Sequence, residues 1–204
     1  MQPMPALPVR PRTRPRVLRT FRVFAVLAGA AALAATATPR AQAPDPTIAS
    51  IKLVYDGLKD DIVKSAAMVP EDKYGYQPTP EVRTFGRLFG HIANAGASFC
   101  AAATGMKSPI AGDAETLETK AELQKAVADM FAFCDHAFMM ITPANANETV
   151  TLFGQTHSRL GVLAFNNAHL YEHYGNLVTY LRLNGMVPPS SQGGGGNQLV
   201  IEDR

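Results

Sequence analysis

Apolar residues recur at steps of three and four along four stretches of this chain, separated by polar runs that carry most of the Pro and Gly. The first stretch lines up Ile51, Tyr55, Leu58, Ile62 and Ala66, which predicts a helix from an N-cap at Thr47 to Met68, ended by Val69-Pro70. The second lines up Phe85, Leu88, Ile92, Ala95 and Phe99, with Phe89 widening the stripe, and stops at Gly105. The third begins near Thr116 and carries Leu123, Val127, Met130, Cys134 and Phe138 on one face. The fourth starts around Ser158 and carries Leu163, Leu170, Leu177 and Leu181. It ends at Asn184-Gly185, residues that tolerate a left-handed C-cap, before Pro188-Pro189. Pro143–Gln155 is the longest segment without periodicity, and Thr149–Phe153 within it reads as a short extended piece. With no convincing strand alternation and no repeat, the pattern gives an all-α four-helix bundle over 46–189, followed by a flexible Ser/Gly-rich tail over 190–204.

The fourth stripe has histidines beside it. His169 and His173 stand four apart, so both imidazoles lie on one face, one turn above the other. Val162, Asn166 and Tyr180 share that narrow stripe, and the leucines run next to it, which turns the pair toward the interior. Two neutral imidazoles so placed can share one divalent metal ion. A single histidine on such a face is more often a hydrogen-bonded core residue; a pair at this spacing is harder to read that way. His91 borders the stripe of the second helix and can face a neighbour. Bundles build metal sites from side chains on facing helices, which is the relation His91 would have to His169 and His173. His136 falls on the polar side of the third helix, and His157 in the loop before the fourth.

Charge and composition change the picture at the N-terminus. Arg10, Arg12, Arg14, Arg16, Arg19 and Arg22 form a basic region without an acid, and Val23–Ala37 then runs apolar and small. This is the pattern of a secretory signal peptide, with a plausible cleavage after Ala37, and 38–45 as a linker to the bundle; an uncleaved anchor is the competing reading. Across the 204 residues, 19 Lys and Arg face 17 Asp and Glu. Removal of 1–37 takes six Arg and no acid, leaving 13 against 17, so the mature domain is mildly acidic and the apparent basicity gives no support to nucleic-acid binding. The mature chain is then exported, periplasmic or extracellular, with no membrane span. Cys100 and Cys134 are the two cysteines. An oxidising compartment would permit a bridge, but Cys134 sits on an apolar stripe where a buried thiol is the commoner fate, so two free thiols are expected.

Two runs carry a family resemblance. The segment from Met68 through Tyr74-Gly-Tyr-Gln-Pro-Thr-Pro to Phe89-Gly-His91 resembles the first half of the DinB-like signature. His169-Leu-Tyr-Glu-His173-Tyr-Gly, followed by Tyr180-Leu-Arg182 and Gly185-Met-Val-Pro-Pro189, resembles the second half. With the helix order, the likeness spans roughly 46–192. It implies a four-helix bundle in up-down-down-up order and a divalent metal held by one histidine of the second helix and an HxxxH pair of the fourth. By position these are His91, His169 and His173, and the ion is zinc, nickel or iron. Relatives include thiol-dependent S-transferases and isomerases, and many are described as metal-dependent hydrolases. The implied partner is therefore a small-molecule substrate, a thiol among the choices, and a homodimer is compatible with the pattern. Asn176 stands where many relatives carry Gln, which puts any role of that amide in doubt.

His169-Leu-Tyr-Glu172-His173 also satisfies HxxEH, the inverted zinc-protease pattern. Its third ligand would have to come from Glu202 or Asp203 in the tail, and Glu172 itself points about 80° away from the histidine face, where a solvated acid is expected. No catalytic base is identifiable in the sequence. Three histidines leave a tetrahedral ion one open position, which suits hydrolysis or thiol transfer; the alternative is a non-catalytic binding or stress-response protein with the ion as a structural cross-link.

Overall fold

The computed structural model describes residues 45–192; the basic region, the apolar run at 23–37, most of the linker and the tail from 193 lie outside them. Four helices form the domain: α1 (Pro46–Met68), α2 (Phe85–Thr104), α3 (Lys120–Met140) and α4 (Arg159–Leu183). Their ends follow from local chemistry. Asp45, not Thr47, caps α1: its carboxylate accepts from the Thr47 and Ile48 amides at 2.9 and 3.1 Å, and Pro46 takes the first helical position, where a missing N–H costs nothing. Thr84 caps α2, and Gly105 ends it at φ 76°. Ser158 caps α4, and Gly185 follows it at φ 73°.

The third helix begins later than the stripe suggests. Thr119 and Glu122 make a reciprocal capping box that sets its start at Lys120. Ala114–Thr116 instead forms a separate 3-10 turn, closed by the Asp113 carboxylate on the Glu115 amide. The segment at 149–158 is also more ordered than a loop. Thr149–Leu152 (β1) pairs antiparallel with Gln155–Ser158 (β2) through a two-residue turn at Phe153-Gly154. His157 therefore sits in β2, opposite Val150.

Each of α1 and α2 packs against both α3 and α4. Numbers rise together between α2 and α3, where Gly86 meets Leu123 and Gly96 meets Met130. They run in opposite senses between α2 and α4, where Phe85 meets Tyr180, His91 meets His173 and Phe99 meets Phe165. The periodic residues fill the core: Tyr55, Ile62, Phe85, Phe89, Ile92, Met130, Leu163, Leu170, Leu177 and Leu181 are all fully buried. Tyr74 folds over one end of the bundle, its hydroxyl donating to the Ala66 carbonyl at 2.7 Å. Ser190 and Ser191, assigned above to the tail, continue from Pro189 in a 3-10 turn (Pro189–Ser191), and the Ser190 amide donates to the Tyr174 hydroxyl at 3.0 Å. Among the described residues no helix is long and apolar enough to cross a membrane.

The expectation of two free thiols is overturned. Cys100 of α2 and Cys134 of α3 form a disulfide, with Cα atoms 5.4 Å apart. Helical periodicity told which face Cys134 occupies but not which helix it meets there. Gly96 decides that: a Cβ on it would lie 2.7 Å from the Met130 sulfur. The absent side chain lets α3 close on α2, one turn before each cysteine.

Candidate metal centre

His91 reaches the centre from α2, and His169 and His173 from α4. The approach of these two helices is fixed by the aromatic contacts at either side, Phe85 on Tyr180 and Phe99 on Phe165. The three Nε2 atoms converge: His169 to His91 is 3.2 Å and His173 to His169 is 3.0 Å. His173 is buried, and the other two are partly buried. Burial and the neighbouring imidazoles push His169 down to about 4; burial, His91 and Arg83 push His173 down to about 4. Both are neutral at pH 7, each with one ring nitrogen carrying a lone pair. Three ring nitrogens aimed at one point cannot all be satisfied by hydrogen bonds to one another, whereas one cation can take a lone pair from each. Among the described residues this is the one group of three or more His, Cys, Asp or Glu donors close enough to hold an ion together, and no fourth such donor joins it. The donor set fits a borderline divalent metal with one position left for another ligand. His136 is exposed on α3 and His157 lies in β2, both outside the cluster.

The outer partners come from residues the sequence reading did not single out. Glu115, in the 3-10 turn before α3, places Oε1 2.8 Å from His91 Nδ1. It also accepts from Arg83 Nε at 3.0 Å, and the Arg87 guanidinium lies 3.7 Å away. Burial works against the Glu115 charge, but hydrogen bonds from Arg83 and His91 outweigh it and hold the carboxyl below the usual range. A carboxylate on Nδ1 keeps the proton there and leaves Nε2 as the donor, the arrangement metal-ligating histidines favour. Two residues of α2 hold this turn in place. Asn94 bridges it, donating to Asp113 at 2.5 Å and accepting from the Ala114 amide at 3.0 Å. Gly90 lets it approach: a Cβ there would sit 2.3 Å from the Ala114 carbonyl oxygen. Glu115→Gln keeps the shape and removes the charge, so metal affinity should fall by roughly 10–100-fold with the fold intact. A competition titration against a chelator measures this, and an unchanged affinity would mean that Glu115 is a surface ion-pair residue only.

On the other side, Asn176 Nδ2 lies 3.4 Å from His173 Nδ1; with the amide turned over, its oxygen accepts the Nδ1 proton. Asn176 therefore has the position, if not the length, of a residue that orients His173. Tyr180, whose hydroxyl the stripe placed near the histidines, donates instead to the Arg83 carbonyl at 2.9 Å and so fixes the strand of chain that carries Arg83. A cavity of about 480 Å³ opens against His173, with Arg83, Arg87, Glu172, Asn176 and Tyr180 among its walls. Glu172 is exposed at its edge. His91 takes the third place beside the HxxEH pair, which leaves no need for a ligand from the tail.

The family model of the DinB superfamily matches residues 55–177, a span that takes in all three histidines. The chain belongs to the DinB superfamily. Solved DinB-like structures share its fold. One from Bacillus cereus has a TM-score of 0.59 at 16% identity, covering 70% of this chain and 95% of that one. One from Bacillus subtilis has 0.55 at 17% identity, covering 71% and 99%. A mycothiol-dependent maleylpyruvate isomerase is similar at a TM-score of 0.53 and 19% identity, over 65% of this chain and 61% of the isomerase. No curated protein sequence matches the chain. The DinB helices α2 and α4 are thus the ones that carry its histidine cluster.

Proposed function

We propose that this DinB protein holds one divalent ion, zinc, nickel or iron, through His91, His169 and His173, and uses it in thiol-dependent chemistry on a small molecule. The observation that carries the reading is the convergence of three imidazole Nε2 atoms, His169 lying 3.2 Å from His91 and 3.0 Å from His173, beside an open cavity. A structural cross-link would close the centre with a fourth protein donor, and no fourth His, Cys, Asp or Glu joins the cluster among the described residues. Bound there, such an ion would supply Lewis acidity that favours the thiolate form of a thiol. The chain's own residues do the rest. Glu115 and Asn176 fix the imidazole orientations; Arg83, Arg87 and Glu172 wall the cavity on its polar side and Val82, Leu88 and Tyr180 on its apolar side. The isomerase neighbour acts with mycothiol, which favours a thiol over water as the second reactant.

Export is part of the proposal. The six-arginine region followed by an apolar run supports it, and so does the Cys100–Cys134 bridge, since disulfides persist in oxidising compartments. The test is a screen of low-molecular-weight thiols with electrophilic acceptors, read by mass spectrometry of the adducts. Turnover should vanish with a chelator and return with the ion. Stoichiometric metal with no metal-dependent turnover on any thiol would leave the domain as a binding protein and reject the enzyme reading.

A further inference from the structure

A second feature adjoins the histidines on the side away from the cavity. Phe99 of α2 stacks edge-on against His169, ring centroids 5.2 Å apart. Phe165 of α4 meets Phe99 edge-on at 5.2 Å, and Phe153 of the hairpin tip meets both, at 6.0 and 5.9 Å. Phe99 is buried, but Phe165 is 40% and Phe153 74% exposed. Two large aromatic faces are thus left in water beside the three-histidine cluster.

The backbone at Phe153 says that this placement is specific. Phe153 and Gly154 have φ of 51° and 74°, both in the left-handed region, as the two central residues of a type I′ hairpin turn require. Such a turn favours Asn-Gly. Phe is a poor occupant, because a bulky side chain in this region is strained. It is the one non-glycine residue with positive φ among the described residues. Strain of this kind persists where the surroundings over-determine it, and it clusters at functional positions. The strained residue here is also the most exposed large apolar side chain of the domain, and it reaches the edge of the histidine cluster through one intervening ring.

We infer that Phe99, Phe153 and Phe165 form an aromatic subsite that takes the planar apolar group of a ligand whose donor atom reaches the three-histidine centre. The inference rests on the metal reading for the donor atom, but the ring subsite is defined by the phenylalanines alone. Edge-to-face rings offer both faces and edges to an incoming arene, and the hairpin tip supplies the outer wall. The ligand class is therefore an arene-bearing small molecule, with an aromatic thiol as its simplest member.

Benzyl mercaptan, with 2-mercaptoethanol as the ringless thiol, is titrated into the cobalt-loaded mature chain, following sulfur-to-cobalt absorption and the Phe153 and Phe165 ring-proton shifts. Benzyl mercaptan should bind about tenfold more tightly, the scale of one buried ring contact. Phe153→Asn, which suits the turn and should raise or keep Tm, should abolish that preference. His136→Ala should preserve it. Equal affinities in the wild type, or a preference that survives Phe153→Asn, overturns the subsite. If cobalt does not bind, the metal reading fails by itself, and benzyl alcohol on the metal-free chain then decides: Phe153 and Phe165 shifts that vanish in Phe153→Asn uphold the subsite, and unmoved rings overturn it. Shifts that follow protein concentration instead of probe would make this face a contact between copies and also overturn it.

Discussion

His169→Ala should strip the protein of its ion. The change removes the middle donor, the one whose Nε2 lies within 3.2 Å of both others, and leaves His91 and His173 on different helices. Ala favours helix, so α4 should persist. Loss of a direct ligand should exceed the 10–100-fold effect of an outer partner, so affinity should drop by more than about 100-fold. A ligand present at about 100 times its Kd stabilises the native state by roughly 2.7 kcal/mol, and all of that is lost with the site. For a domain of this size the fall in Tm is on the order of 5–10 °C. Metal analysis after dialysis and calorimetry with and without chelator measure both effects. The chelator should destabilise the wild type and leave His169→Ala unmoved. His136→Ala, exposed on α3, should match the wild type in both. Stoichiometric metal in His169→Ala would mean that the ion, if any, is held elsewhere.

Reduction of the Cys100–Cys134 bridge should have an effect of comparable size. The bridge spans a sequence separation of 34, for which the chain-entropy model gives about 4 kcal/mol. Tm should fall by roughly 8–16 °C on adding a strong reductant, or in the Cys100→Ala, Cys134→Ala double variant. The two treatments should not add. Protein from the exported fraction of the native host should begin near Thr38 and yield the cross-linked peptide before reduction. Full-length chain in the cytosol with two alkylatable thiols would reject both the bridge and the export proposal.

What could be read from the sequence was set by local periodicity. The four helices follow from apolar residues at steps of three and four, and the His169–His173 pair from one turn of helix. His91 could be placed because it borders a stripe that must face a partner. Glu115 could not, since its meeting with His91 depends on a turn that Asn94 and Gly90 dock onto α2, contacts with no spacing rule. The disulfide was missed for the same reason: a stripe does not say which helix lies opposite. The hairpin carried a local signal that went unused, Gly154 between two short polar-apolar segments. The strain at Phe153 had no signal, because a type I′ turn calls for Asn, Asp or Gly at that position and not for Phe.

X-ray absorption at the metal edge, on protein purified without added metal, tests the three-histidine centre most directly. The expected spectrum shows about one divalent first-row ion per chain, with three imidazole nitrogens at ~2.0–2.1 Å and one further light ligand. A metal-free protein that binds none of zinc, nickel or iron on titration, or a bound ion with fewer than three imidazoles, would contradict it.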